Sequence, residues 1–135
     1  MEKSQNRILA SIQLAAIFCW ANVVIGLLVA NLVYVLAGIL YAVSAVGLHR
    51  KRLWGARLAM IMSVLFGAIE IVLIILSLFG FFEGTVRYSS IPTGLAGQIL
   101  RLTIHLGILF FVSFAWNHLK GKTAVRSDYE KSGTV

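Results

Sequence analysis

Charge is scarce in this chain. Only 13% of its 135 residues are Asp, Glu, Lys or Arg, and 59% are hydrophobic. An ordinary soluble domain carries about 25% charged residues. So little polar surface excludes a water-soluble globule, and lipid must be the solvent for much of the chain. Cys19 is the one cysteine, so no internal disulfide can form. No Cys/His spacing resembles a zinc site. No Ser-His-Asp set, Cys-His pair or carboxylate pair is placed for catalysis, and no glycine loop could cradle a phosphate. Haem between spans needs facing histidines, whereas two of His49, His105 and His118 fall at one membrane edge. These absences argue against an enzyme and lead us to expect no metal and no cofactor.

What is present is length in apolar runs. A spanning helix needs about 20 apolar residues. Ile8 to Leu48 is 41 residues without a charge, which reads as two spans, with a re-entrant hairpin as the alternative. Asn31 is the best turn candidate between them, since Asn tolerates left-handed backbone and caps helices. The apolar start is too long for a signal-peptide core and is read as a retained span. The expected fold is an all-α membrane protein, a four-transmembrane-helix bundle, with spans at 8–29, 32–48, 53–82 and 95–116. Residues 83–94, with the sole proline Pro92, form the one real loop. Residues 1–119 then make the membrane domain and 120–135 a polar tail, expected to be mobile.

The net charge of +7 is unevenly spread. Ten of the 12 basic residues lie in the N-terminus, the block Arg50, Lys51, Arg52 and Arg57, and the tail. With four spans these segments share one side, which the excess of Lys and Arg in cytoplasmic loops makes the cytoplasm. Both termini are therefore expected inside, most simply at a plasma (inner) membrane. Trp54 and Trp116 mark the same interface. The basic residues sit in the gaps between apolar runs, so the pattern reads as topogenic charge touching anionic lipid headgroups, and nucleic acid is not an expected partner.

Helices in lipid associate through small residues and polar contacts. Each span carries such a stripe: Ala15, Cys19, Asn22, Gly26 and Ala30; Tyr34, Gly38, Tyr41 and Ala45; Ala59, Ser63, Gly67 and Glu70; Gly94, Gln98, Arg101 and His105. Of these, Gly26, Gly38, Ala59, Ser63 and Gly67 are the expected packing positions. Counting from the cytoplasmic edge at about 1.5 Å per residue places Glu70, Arg101, Asn22 and Tyr34 all roughly 22–24 Å deep. His105 falls about one turn nearer the cytoplasm. A lone charge at such depth costs about 2.5–3.5 kcal/mol, which a Glu70–Arg101 pair would offset. The cluster of Glu70, Arg101, His105, Asn22 and Tyr34 is thus the expected polar site. Two readings stay open: a proton- or cation-linked site at Glu70, or an ion pair that fixes how spans three and four dock. Arg101 could also snorkel to the outer interface.

The segment from Gly47 through Leu48, His49, Arg50, Lys51, Arg52, Leu53, Trp54, Gly55, Ala56, Arg57 and Leu58 to Ala59 resembles the central loop of small prokaryotic four-span membrane proteins of unknown function. In them a Gly-Leu plus a basic cluster ends one hairpin and a Trp-x-x-Arg opens the third span. The resemblance covers residues 32–80, implies a four-helix membrane bundle and carries no site residues. Small multidrug-resistance transporters share the size, but their essential carboxylate is in the first span, and here that span has none. The expected function is a non-catalytic accessory, assembly or regulatory partner within the membrane, joined to copies of itself or to another membrane protein. The alternative is an oligomeric small transporter or channel using Glu70.

Overall fold

The computed structural model describes residues 2–29, 32–80 and 94–133. They form four helices: α1 (Glu2–Val29), α2 (Leu32–His49), α3 (Leu53–Leu78) and α4 (Leu95–Ser132). Each helix packs on the next, and α4 closes the ring against α1. The result is an antiparallel up-down-up-down bundle. All four helices are long and apolar enough to cross a membrane. The chain is a multi-pass, all-α membrane protein. Its surface is apolar, with Leu27, Ile61, Leu78 and Phe110 each more than 60% exposed, and the buried set is rich in small residues such as Ala15, Ala16, Ala45, Ala56, Ala59 and Ala115. Small side chains let helix backbones come close where no hydrophobic effect drives them together.

Glycine marks the closest approaches. Gly26 faces the Tyr34 carbonyl, which a Cβ would strike, and a Cβ on Gly38 would rest 3.5 Å from the Val23 backbone. These two seat α1 on α2. At the other end of α2, a Cβ on Gly47 would lie 2.6 Å from the Cα of Gly55 on α3, and the reverse is equally tight. Gly67 behaves differently from the sequence expectation. Among the described residues its only near neighbour would be the His105 Cβ, at an ordinary 3.7 Å, so it seats a side chain and not a backbone.

The turn between α2 and α3 is tight. Arg52 N–H donates to the Gly47 carbonyl at 2.9 Å and Lys51 N–H to the Leu48 carbonyl at 2.8 Å. This is the paired bonding of a Schellman cap, whose left-handed position usually holds glycine. Here it holds Lys51, with φ of 53°. A left-handed non-glycine residue is strained by about 1–2 kcal/mol. Lys51→Gly is therefore expected to raise the unfolding midpoint in detergent, by an amount equivalent to about 1 kcal/mol. A lower midpoint would show that the Lys51 side chain contributes more than its backbone strain costs.

Three boundaries differ from expectation. α1 begins at Glu2, ahead of Ile8. α3 ends at Leu78, followed by Gly80 with φ of 75°, a left-handed glycine that stops the helix. The polar tail is helical over most of its length, because α4 runs 38 residues, through Ser132. At about 1.5 Å per residue it is roughly 57 Å long, well beyond about 30 Å of hydrocarbon. The physical reason is cooperativity. A helix already nucleated in the membrane extends at one hydrogen bond per residue, and residues 120–132 contain no proline to stop it. Asn31, the expected α1–α2 turn, and residues 81–93 lie outside the described residues, as does Ala30.

Candidate functional site

The polar site grows out of the helical spacing. On α3, Ala59, Ser63, Gly67 and Glu70 follow one inward face, all buried. On α4, Arg101 and His105 are one turn apart and also buried. Glu70, 1% exposed, meets Arg101 across the α3–α4 contact. Arg101 Nε donates to Glu70 Oε1 at 2.7 Å and Nη2 to Oε2 at 3.3 Å. A two-pronged, charge-assisted pair of this kind is among the stronger polar contacts available to side chains. Tyr34 on α2 adds a third bond, its hydroxyl donating to Glu70 Oε1 at 3.2 Å. The Arg101 guanidinium lies 5.6 Å from the Tyr34 ring centre, within cation–π range. Snorkelling of Arg101 to the interface is overturned, because the side chain turns inward to Glu70.

A second polar group lies beside the first. The Tyr41 hydroxyl is 2.9 Å from His105 Nδ1 and 3.3 Å from Ser63 Oγ. The His105 ring stacks near Tyr41 and Phe66, with centroids 5.8 and 6.3 Å away. Burying a tyrosine hydroxyl is tolerable only with a partner, and here it has two. Between the groups is a small cavity walled by Asn22, Tyr34, Tyr41, Phe66, Arg101 and His105. It is small, about 10 Å³, at the lower limit for holding a single water.

Each expected site residue can now be placed. Glu70, Arg101 and Tyr34 come together directly. His105 joins Tyr41 and does not stand between Glu70 and Arg101. Asn22 reaches the cavity wall, while its Nδ2 donates to the Phe18 carbonyl of its own helix at 3.2 Å. Ser63 was expected only as packing, and it also bonds to Tyr41. Tyr41 and Phe66 are the residues that sequence reasoning missed as members of the site. The signal for Tyr41 was a second hydroxyl-bearing ring two turns along the stripe that already carries Tyr34. Farther out, Ser77 donates to Gln98 Oε1 at 3.1 Å and ties the outer ends of α3 and α4. Arg50, Lys51, Arg52 and Arg57 are exposed at the opposite end of the bundle.

The arrangement is electrically balanced within itself. One carboxylate faces one guanidinium, and the neighbouring groups are hydroxyls, an amide and an imidazole. It can hold three helices in register and can pass hydrogen bonds along a short chain. Comparison of the chain with protein-family models, with curated proteins and with solved structures finds no match to any of them.

Proposed function

We propose that this protein is a non-catalytic partner within the membrane, an accessory, assembly or regulatory subunit. One observation carries the reading: both oxygens of Glu70 are held by Arg101, beside a cavity of only about 10 Å³. A transporting carboxylate must exchange its counter-ion for substrate and needs a wetted path. Here the counter-ion is built into the adjacent helix, so the pair serves docking of α3 on α4. The surface offered to a partner is the lipid-facing apolar belt plus the end of α4 beyond the bilayer. The basic cluster at Arg50, Lys51, Arg52 and Arg57 supports placing that end, and both termini, in the cytoplasm, with anionic headgroups against the cluster. A plasma (inner) membrane fits the same charge pattern.

The test uses purified protein in liposomes that enclose a pH-sensitive dye. Under an imposed proton or potassium gradient, wild type and Glu70→Gln are expected to leak no faster than protein-free liposomes. Wild-type flux several-fold above that baseline, lost in Glu70→Gln, would establish the transport alternative instead. In cells, single cysteines replacing Arg52 and Ser127, both exposed side chains, are expected to react with a membrane-impermeant reagent only after permeabilisation. Labelling of either one in intact cells would reverse the orientation.

A further inference from the structure

Lys51 occupies a position that folding alone would give to glycine. It is the one non-glycine residue with positive φ among the described residues, at 53°. The bonds from Lys51 N–H to the Leu48 carbonyl and from Arg52 N–H to the Gly47 carbonyl set that conformation, and glycine would adopt it without strain. Backbone strain of this kind clusters where a side chain is used. Orientation by charge does not need this lysine, because Arg50, Arg52 and Arg57 would keep the turn basic without it. All four side chains are exposed. No Asp or Glu occurs between Glu2 and Glu70, and the one ion pair among the described residues joins Glu70 to Arg101. The four cations, held on a tight turn, thus lack a counter-ion among the described residues.

We propose that the α2–α3 turn is a binding site for the headgroup phosphate of an anionic phospholipid, with Lys51 as a specific ligand and the neighbouring arginines as support. Ammonium and guanidinium groups both suit phosphate oxygens, the first as a point charge and the second as a planar fork. The surroundings favour a lipid over a soluble anion. Trp54, 48% exposed, follows the turn directly. Its ring lies against the end of α2, where a Cβ on Gly47 would be 3.0 Å from Cζ3 and Cη2. Indole rings favour the headgroup level. Deeper in the bundle, Val46 on α2 and Ile61 and Val64 on α3 are exposed and apolar. Acyl chains therefore have an apolar surface below the cations, which a free phosphate would not use. The proposal deepens the reading above and rests on it for the leaflet, since the cytoplasmic face is the one that carries negative surface potential.

The test uses the purified full chain in a neutral detergent, titrated with phosphatidylglycerol or phosphatidylcholine, and reads the unfolding midpoint. In wild type the midpoint is expected to rise with phosphatidylglycerol and not with phosphatidylcholine, and the rise to shrink as salt screens it. Lys51→Gln keeps a non-glycine residue at the strained position and removes the charge. Its apparent affinity for phosphatidylglycerol is expected to fall about fivefold, the equivalent of about 1 kcal/mol for one lysine near an anionic surface. Lys120→Gln, at an exposed lysine on α4, is expected to keep the wild-type affinity. Lys51→Gly is expected to start higher without lipid, its strain relieved, yet to gain less from phosphatidylglycerol. Equal affinities in wild type and Lys51→Gln would overturn the site, and an equal loss in Lys120→Gln would reduce it to general surface charge. A full rise with soluble glycerol phosphate would overturn the lipid as ligand. No rise with phosphatidylglycerol would overturn the proposal and leave the turn to an acidic protein surface. Mixed micelles have no leaflets, so these results are independent of the orientation that cysteine labelling decides.

Discussion

Glu70→Leu and Arg101→Leu, made singly, are each expected to lower the unfolding free energy in detergent by about 3–5 kcal/mol, and the double variant by much less. The argument rests on what each change leaves behind. Removing Glu70 leaves a guanidinium, in a residue only 8% exposed, with no anion to face. Removing Arg101 leaves a carboxylate, in a residue 1% exposed, with only the Tyr34 hydroxyl among the described residues and whatever water can enter. Either lone charge is more unfavourable than the lost attraction alone. Removing both takes away the attraction and the desolvation together. What then remains is a Tyr34 hydroxyl without an acceptor, a loss of about 1 kcal/mol, on a side chain open enough to find another partner. The double-mutant cycle should therefore show strong coupling, measured by thermal or denaturant unfolding of all four proteins in one detergent. Additive losses would mean that the pair contributes nothing as a pair. The cycle also bears on function. If docking is the whole role of the pair, the recovered double variant keeps its association with partner or copy. A double variant that is stable yet no longer associates would make the pair part of the recognition surface.

The meeting of Glu70, Arg101 and Tyr34 was legible in the sequence because depth in a membrane can be counted. Helical rise is fixed, the basic and tryptophan markers define one edge, and a lone charge in lipid demands a partner. Those three facts brought residues 34, 70 and 101 to one level before any contact was visible. The Tyr41–His105–Ser63 group was not legible by that route. Tyr41 and Ser63 are uncharged, so nothing about their depth compels a pairing, and a tyrosine in a small-residue stripe reads as packing. The course of the tail was hidden for a different reason. Its polarity argues against a membrane span, but polarity does not decide whether a helix already under way will stop.

The glycines show where a stripe of small residues stops being informative. Gly55 and Gly67 lie on the same helix and are both buried. The sequence favoured Gly67 as the packing position. The structure predicts opposite outcomes for the same substitution at the two sites. At Gly55 a Cβ would sit 2.6 Å from the Gly47 carbonyl carbon and Cα and 2.8 Å from the Leu48 nitrogen. All of these are backbone atoms, held by the tight turn at Arg50–Arg52, so no side-chain rotation relieves the clash. α2 and α3 would have to move apart, and with them Tyr41 from Ser63 and Tyr34 from Glu70. Gly55→Ala is expected to destabilise by about 3 kcal/mol, the upper part of the usual overpacking range. At Gly67 the new methyl meets, among the described residues, only the His105 Cβ, at 3.7 Å. There the conformational gain of alanine over glycine in a helix, up to about 1 kcal/mol, should leave Gly67→Ala neutral or slightly more stable. Unfolding midpoints of the two variants, measured side by side in one detergent, decide the matter. Equal losses at both sites would mean that α2 and α3 are not in backbone contact at Gly47 and Gly55. The α2–α3 hairpin would then have to be redrawn, together with the level at which it delivers Tyr34 to Glu70.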